Sequence, residues 1–463
     1  MTELQHNNYI LIPHPTNAGV LFLQDGNQWT LPYISATDTR EIHREIQEQL
    51  GLDVTVLDAI SLLNRFSSEH TTNSVVYAAD NHSRQWPPPE NARWIGHAEL
   101  AGIALAVPEH RAVLENWFDE VETGTIPACR VPWARIGWFD GAKSWIEEQI
   151  ARLGYNMVAP IEQLHVRAWS TVLRVPTASG LLYFKAVAAG FAHEPPLTHF
   201  LAAHWPECIP RVLAVDTERR WMLMQDAGRP LRGLLLTGDI HANIVYLEQA
   251  FARYAQFQIG TAAYTDALLS SGCPDRRLQM LPSLFEQLIA DRSILLIGQK
   301  GGITEAELEQ LRNFTPHVRE MCEELASYRL PETLHHDDFH SNNILINERG
   351  YVFFDWGDSA VTHPFCSLFA ALRSAKYRLS YDERALLRLR DAYLEPWGSE
   401  ASHLSREQVL AAFDMAQRLG MLSRALTWYA VVAPLEDRAK WEFEDAVPYW
   451  LKMFVTNREP DEG

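Results

Sequence analysis

The segment that most constrains the fold of this chain is LHHDDFHSNNILINERGYVFFDWGD, which spans residues 334–358. It places His336, Asp338 and Asn343 in a His-x-Asp-x4-Asn pattern, and Asp355 follows after the run ILINERGYVFF. Two apolar stretches separated by polar turn residues predict a β-hairpin. Because a hairpin returns the chain to where it started, we expect Asn343 and Asp355 to lie close together.

These side chains suit phosphoryl transfer. The reaction needs a carboxylate that orients or deprotonates a substrate hydroxyl, and it needs oxygen ligands that hold Mg²⁺ against the phosphate. Asp338 suits the first role, and Asn343 and Asp355 suit the second. Asp and Asn also cap local turns, so a single one of them would favour a structural role. The ordered set between predicted strands favours the catalytic interpretation.

The loop resembles the H-G-D-L-H-x-G-N signature of the aminoglycoside phosphotransferase and choline kinase group, distant relatives of the protein kinases. The polar positions that match are His336, Asp338, His340 and Asn343. Asp337 and Asn342 stand where the signature has glycine, which predicts strain in the loop.

The resemblance implies an α+β fold with a bilobal, protein-kinase-like phosphotransferase domain over residues 132–455. It implies transfer of the γ-phosphate of ATP or GTP to a hydroxyl of a small metabolite or antibiotic, with Mg²⁺ as cofactor. Asp338 would be the base, and Asn343 and Asp355 would bind the metal. The residues expected to support them are His336, His340 and Asp358.

Upstream residues fall in the order that the resemblance requires. Lys185, in the strand-like LLYFKA, matches the lysine that binds the α- and β-phosphates, and Glu194 matches its ion-pair partner. No glycine-rich loop precedes Lys185, and this group uses a Ser-containing hairpin there, so Ser170 and Thr171 are predicted to contact phosphate. The strand WMLMQDAG resembles the segment that meets adenine. Its predicted contacts are Met224, Gln225 and Asp226.

Residues 1–125 predict a separate α/β domain that precedes a boundary between residues 120 and 132. An amphipathic pattern from Thr37 to Leu50 predicts a helix, which Gly51 ends. Arg-Glu-Ile-Gln-Glu-Gln-Leu-Gly-Leu resembles the end of a Nudix box, whose glutamates bind magnesium for pyrophosphate hydrolysis. Glu45 and Glu48 match that pattern. Gln49 and Ala36 replace two other glutamates, so we expect a Nudix-like binding or packing module rather than a hydrolase.

Further predictions concern the helices and the acceptor site. We expect helices over residues 109–119 and 142–153, a hairpin turn over residues 176–180, and a mostly helical chain after Leu231. The resemblance places the acceptor pocket among the C-terminal helices. Four acidic residues there are candidates for attracting an amine: Glu436, Glu442, Glu444 and Asp445.

Composition narrows the partners. The chain has 59 acidic and 40 basic residues, a net charge of −19, which disfavours nucleic acid and favours a neutral or cationic small-molecule acceptor. The five cysteines are scattered and form no Cys-x-x-Cys pair, which disfavours a disulfide framework or a zinc cluster. The sequence shows neither a secretory signal pattern nor a membrane span, so we expect a cytoplasmic protein with no membrane partner.

Two alternative hypotheses share these fold signals. One is a nucleotide-binding regulatory pseudokinase that no longer transfers phosphate, for which the irregular Asp337 and Asn342 are the argument. The other is a Nudix-type pyrophosphohydrolase in residues 1–125. The sequence alone does not decide the acceptor, the choice of ATP or GTP, or the oligomeric state.

Overall fold

A computed structural model gives the backbone of residues 5–66 and 71–458, with side chains described for residues 7–60 and 75–458. The chain divides into two units. The first comprises Met1–Ala188 and Pro434–Glu442, and the second comprises Ala189–Ala433 and Phe443–Gly463. Within the described residues, no helix combines the length and the apolar character needed to cross a membrane.

Strands and helices are numbered in chain order. The strands are β1 (Gln5–Leu11), β2 (Gly19–Asp25), β3 (Gln28–Thr30), β4 (Tyr33–Ile34), β5 (Val54–Phe66), β6 (Thr71–Asn81), β7 (Ala92–Gly96), β8 (Glu162–Val166), β9 (Ser170–Thr177), β10 (Gly180–Val187), β11 (Val212–Asp216), β12 (Trp221–Gln225), β13 (Arg229–Pro230), β14 (Thr333–His335), β15 (Ile344–Asn347), β16 (Gly350–Phe353) and β17 (Ala360–Thr362). The helices are α1 (Thr39–Leu50), α2 (His97–Leu100), α3 (His110–Thr123), α4 (Trp138–Arg152), α5 (Glu194–His204), α6 (Leu231–Leu235), α7 (Ile244–Thr261), α8 (Thr265–Ser270), α9 (Leu281–Ala290), α10 (Glu305–Ser327), α11 (Leu368–Arg378), α12 (Glu383–Leu394), α13 (Arg406–Val432), α14 (Asp437–Lys440) and α15 (Ala446–Thr456).

The first unit begins as a layered α/β structure. One sheet has the order β4-β1-β6-β5, with β1 and β6 parallel, and a second has the order β3-β2-β7. Successive residues of a strand point to opposite faces. Ile10 therefore packs in one core with Ile42 and Ile46 of α1, whereas Leu11 packs in another with Leu114 of α3. The predicted α/β character of this part is what the structure shows.

Helix α1 has well-formed ends. The Asp38 side chain accepts a hydrogen bond from the backbone N–H of Arg40 at 3.0 Å, which caps the N-terminus. Gly51 ends the helix with φ of 68°, a left-handed conformation that favours glycine. The predicted helix and its glycine cap are confirmed, with the first turn beginning two residues later than the pattern suggested.

Two local predictions in the first unit were wrong. Helix α4 begins at Trp138 rather than at residue 142, because the rings of Trp138 and Trp145 both pack on Phe184, with centroids 6.2 and 5.7 Å away. The predicted turn over residues 176–180 is shorter than expected. Pro176 pairs with Leu181 inside the β9–β10 hairpin, so the connection is only two residues long.

The first unit continues past the predicted domain boundary. The side chain of Gln163, on β8, exchanges two hydrogen bonds of 2.8 Å with the backbone N–H and C=O of Val56. This amide acts as a strand partner for β5 and joins the β8–β10 hairpins to the N-terminal sheets. The boundary predicted between residues 120 and 132 therefore lies inside one unit, and the domain limits remain a prediction.

A segment from near the C-terminus completes the first unit. Arg130 is 6% exposed and forms paired hydrogen bonds with the carboxylates of both Glu120 and Glu436, at 2.6 to 3.1 Å. Arg438 lies 3.4 Å from Asp58, and Trp441 donates to the Ala59 carbonyl. Buried charges need such partners, so residues 434–442 are an integral part of this unit.

The second unit is mostly helical, as predicted, with short strand pairs that hold its loops. β14 pairs with β17, and β15 pairs with both β13 and β16. Gly228, just before β13, has φ of 125°, and a Cβ there would lie 2.5 Å from the Ile346 carbonyl oxygen. Only glycine permits that approach of β13 to β15. Beneath the loop that follows β14, Tyr254 of α7 stacks on Phe339 with ring centroids 3.9 Å apart.

Candidate active site

The predicted hairpin positions two of the candidate residues. Ile344 pairs with Phe353 across β15 and β16, and the backbone N–H of Phe354 donates to the Asn343 carbonyl at 3.3 Å. Asn343 and Asp355 therefore flank the same end of the hairpin, as the sequence predicted. Asp355 adopts the left-handed conformation, with φ of 67°.

The carboxylate of Asp338 lies in the loop between β14 and β15 and has donors on both oxygens. Oδ2 accepts from the Asn343 side-chain amide at 3.1 Å and lies 3.3 Å from Nε2 of His340. Oδ1 accepts from Nη2 of Arg424, on α13, at 3.1 Å. The structure thus brings together the predicted base, one predicted metal ligand and one predicted supporting residue.

Arg424 serves a second carboxylate. Its Nη1 donates to Oδ2 of Asp358 at 3.1 Å and to the backbone carbonyl of Asp337 at 3.2 Å. Asp358 thus contacts the Asp338 site through Arg424, and the supporting role predicted for Asp358 stays a prediction.

One guanidinium shared by two carboxylates separates their pKa values. Burial alone would raise the pKa of Asp338, but Arg424 and His340 outweigh it and hold that pKa well below its usual range. Burial, together with the neighbouring carboxylates, raises the pKa of Asp358 to about 7 against the attraction of Arg424. Asp338 is therefore the ionised member at neutral pH, as a proton acceptor must be.

His336 contacts the backbone of the hairpin next to the site. Its Nε2 lies 2.8 Å from the carbonyl oxygen of Phe354, and because a carbonyl only accepts, Nε2 carries the proton. Burial lowers the pKa of this imidazole, so the ring stays neutral. The contact ties the loop to the residue before Asp355, and the supporting role of His336 stays a prediction.

The residues predicted to bind phosphate belong to both units. Lys185 is a buried residue of β10 in the first unit, and Glu194 is a buried residue that begins α5 in the second. Ser170 and Thr171 are not loop residues, because they begin β9 and are buried, and the Thr171 hydroxyl donates to the His165 carbonyl. The nucleotide-binding roles of all four remain predictions.

The predicted adenine-contacting segment lies at the end of β12. Met224 and Gln225 are its last residues, and the Gln225 N–H donates to the Arg211 carbonyl at 2.9 Å. Asp226 accepts from the backbone N–H of Gly228, which forms a tight turn toward β13. This strand-to-turn geometry is the one expected there, and its contact with a base stays a prediction.

The two glutamates of the predicted remnant on α1 have different surroundings. Glu45 accepts hydrogen bonds from the backbone N–H groups of Ser35 and Ala36 and from the Gln49 side chain, at 2.9 to 3.0 Å. Glu48 is exposed. Among the described side chains, no group of three or more His, Cys, Asp or Glu residues is arranged to hold a metal.

Two arginines of the site were missed by sequence reasoning. Arg424 contacts Asp338, and Arg276, in the loop before α9, contacts Asp337 at 3.3 Å. The signal for Arg424 was a single charge within the small and apolar run GMLSRALT of α13, whose neighbours Ser423 and Ala425 are buried. A charge at such a position needs a partner, which the sequence does not name.

Comparison with known families decides the classification. Residues 165–404, more than half of the 463-residue chain, match the phosphotransferase enzyme family (APH). The chain belongs to this family.

Solved structures similar to this phosphotransferase family member are distant in sequence. A macrolide 2'-phosphotransferase from Brachybacterium faecium is 16% identical, with a TM-score of 0.42 and coverage of 66% of this chain and 98% of that one. A choline/ethanolamine kinase family protein from Mesorhizobium loti is 14% identical, with a TM-score of 0.44 and coverage of 68% and 94%. No curated protein matches the chain significantly.

This family member carries aspartate where the signature loop has its first glycine. Asp337 has φ of 58°, which explains why glycine suits the position. Its carboxylate lies 2.9 Å from Nε2 of His335, 3.3 Å from Arg276, and accepts from the Thr427 hydroxyl. Asn342 is exposed and has no positive φ, so the second replacement introduces no such strain.

The Asp337 contacts form a buried ionic network. Burial alone would raise its pKa, but His335, Arg424 and Arg276 hold the pKa at about 2. Arg276 is 6% exposed and also donates to Ser423 and Thr427 of α13. The network therefore anchors the loop to α13 and offsets the backbone strain.

We expect Asp337→Gly to destabilise the protein although it restores the signature. Relief of strain is worth about 1 kcal/mol, whereas an unpaired buried Arg276 costs about 3–5 kcal/mol. Adding Arg276→Met should recover most of the loss. Urea unfolding followed by tryptophan fluorescence measures both variants. A single variant as stable as the wild type, or a double variant no better than the single one, would contradict the network's role.

Proposed function

We propose that the protein is a small-molecule kinase that transfers the γ-phosphate of ATP or GTP to a hydroxyl group. The observation that supports this most is the ionised Asp338 carboxylate, hydrogen-bonded to Asn343 at the hairpin end that also carries Asp355. In a member of a phosphotransferase family, this is the arrangement expected of a base beside a metal site.

Asn343 and Asp355 fit Mg²⁺ by their chemistry. The side-chain amide nitrogen of Asn343 donates to the backbone oxygen and to Oδ2 of Asp338. The side-chain oxygen of Asn343 is the atom that would bind the metal. Asp355 supplies a carboxylate, and oxygen ligands of this kind are those that Mg²⁺ prefers. When bound, the metal would neutralise phosphate charge and orient the triphosphate.

The remaining roles belong to the protein's own groups. Lys185, with Glu194, is proposed to bind the α- and β-phosphates, and Ser170 and Thr171 to border them. The segment from Met224 to Asp226 is proposed to meet the base. Asp338 is proposed to accept the proton of the acceptor hydroxyl while the hydroxyl oxygen bonds to phosphorus. His336 is proposed to hold the loop in place.

The acceptor is proposed to be a hydroxyl-bearing metabolite or antibiotic, neutral or cationic in keeping with the acidic chain. Glu436 is removed from the candidates for attracting an amine, because Arg130 and Arg438 already neutralise it. Glu444 and Asp445 are exposed and remain candidates. Glu442 is exposed as well and remains a candidate, and burial of part of its carboxyl raises its pKa.

The test is a screen for magnesium-dependent consumption of ATP and GTP against aminoglycosides, sugars, amino alcohols and thiamine-like compounds. We expect a phosphorylated product with one class, and no product with Asp338→Asn. Nucleotide binding without product across the panel would favour the pseudokinase alternative, and absence of nucleotide binding would contradict the proposal.

For the N-terminal part, we propose a Nudix-like binding or packing module without hydrolase activity. The support is that Glu45 already accepts hydrogen bonds from its own module and that, among the described residues, no group of three or more His, Cys, Asp or Glu is arranged to hold a metal. The full-length protein should not cleave nucleoside diphosphate-linked compounds. Cleavage that disappears in Glu48→Gln would overturn this proposal.

A further inference from the structure

Arg424 differs from a buried structural arginine in its surroundings. Arg276 is 6% exposed, and its partner Asp337 is 2% exposed, so that pair is sealed inside the protein. Arg424 is 13% exposed, and its partner Asp338 is 26% exposed. The Arg424 ion pair is therefore partly accessible from solvent, unlike the Arg276 pair.

The Arg424 guanidinium also occupies a position that the reaction needs. It donates a hydrogen bond to Oδ1 of Asp338, while Asn343 and His340 contact Oδ2. An acceptor hydroxyl must come within about 3 Å of this carboxylate to give up its proton. A carboxylate oxygen can accept more than one hydrogen bond, so Oδ1 has room for this hydroxyl directly beside the Arg424 guanidinium.

The distances then constrain where the transferred group lies. A hydroxyl oxygen poised for attack is about 3–3.5 Å from the phosphorus. The phosphorus, with its oxygens around it, therefore lies within roughly 6.5 Å of the Asp338 carboxylate. Nη2 of Arg424 is 3.1 Å from Oδ1 of that carboxylate, so a small rotation of a long side chain carries the guanidinium onto those oxygens.

We propose that Arg424 is the residue that contacts the transferred phosphoryl group, an inference that rests on the proposed kinase function. Without substrate, the Arg424 guanidinium donates to the carboxylates of Asp338 and Asp358. When the substrates bind, the acceptor hydroxyl binds at Oδ1 of Asp338, and the neighbouring guanidinium turns to bind two phosphoryl oxygens. A planar guanidinium suits this role because it donates two parallel hydrogen bonds to a phosphate.

The step balances without a further reactant. The acceptor oxygen forms a bond to the γ-phosphorus, and the bond between that phosphorus and the β–γ bridging oxygen breaks with its electron pair. The acceptor proton passes to Asp338 and later to water, and the nucleoside diphosphate leaves. Arg424 stabilises the charge on the phosphoryl oxygens during transfer and is itself unchanged.

The helix α13 places this arginine with some rigidity. Its neighbours Ser423 and Thr427 are both held by Arg276, and the ring of Trp428 lies 5.7 Å from the Arg424 guanidinium carbon. The backbone is thus fixed while the end of the side chain can move between two anionic partners.

The test measures the binding of Mg·ADP or Mg·GDP, whichever binds more tightly, with and without aluminium fluoride. Aluminium fluoride mimics the phosphoryl group in the transition state. In the wild type the fluoride complex should bind more tightly than the diphosphate alone. In Arg424→Gln, the gain in affinity on adding aluminium fluoride should be about ten- to a hundredfold smaller, because a charged hydrogen bond to the phosphoryl group is lost. The affinity of this variant for the diphosphate alone should not change. Isothermal titration calorimetry measures both.

Arg418→Gln is the matched control, because Arg418 lies on the same helix but donates to the carbonyls of Phe454 and Val455. It should keep the full increase. If Arg424→Gln fails to fold, Arg424→Lys replaces it and should lose about tenfold, since the charge stays and the fork is lost. An undiminished increase in a folded Arg424 variant overturns this inference alone, whereas a wild type without any increase contradicts the proposed transfer.

Discussion

Asp338→Asn is expected to lower phosphoryl transfer by about three orders of magnitude, because the variant keeps the shape of the side chain but cannot accept the acceptor proton. Its affinity for the magnesium nucleotide should change little, since Asp338 is not among the proposed metal ligands. The measurement is the turnover rate with the acceptor found by screening, beside a direct binding titration of the nucleotide.

Asp382→Asn is the control for that experiment. Asp382 caps α12 by accepting from the Ala385 N–H at 2.9 Å, and asparagine caps helices equally well. This variant should be fully active. A folded Asp338→Asn protein with wild-type turnover would show that another group accepts the proton.

Asp355→Asn is expected to abolish the magnesium dependence of nucleotide binding and to reduce transfer about a thousandfold, because the site loses its only proposed carboxylate ligand. Asparagine is the right replacement. The residue has φ of 67°, a conformation that asparagine tolerates better than alanine, so the backbone should remain in place.

Calorimetric titration of the nucleotide at rising Mg²⁺ concentration measures the effect. The wild-type affinity should increase with Mg²⁺, and the Asp355→Asn affinity should not. The same Asp382→Asn protein serves as the reference. If the metal still strengthened nucleotide binding in Asp355→Asn, the assignment of this residue as a ligand would fail.

The sequence was most informative where function depends on neighbours along the chain. Asn343 and Asp355 are joined by one hairpin, so their proximity followed from the pattern of apolar and turn residues. The end of α1 at Gly51 was predictable for the same reason. Such features depend on a few consecutive residues whose geometry is set locally.

Long-range contacts were not accessible in this way. Arg424 meets Asp338 across 86 residues, and Arg276 meets Asp337 across 61. No local pattern names the partner of a charge that distant. The start of α4 at Trp138 also depends on a contact that is distant along the chain, because the ring of Trp138 packs on Phe184 of the β9–β10 hairpin.

The attachment of residues 434–442 to the first unit affects how the protein is made. Arg130 is synthesised early, yet one of its two carboxylate partners, Glu436, follows the 189–433 stretch of the second unit. A nascent chain therefore cannot neutralise this arginine fully until most of the message has been translated. An N-terminal part that folded before residue 436 was synthesised would therefore contain an incompletely paired buried cation, and only the late segment would supply its second carboxylate.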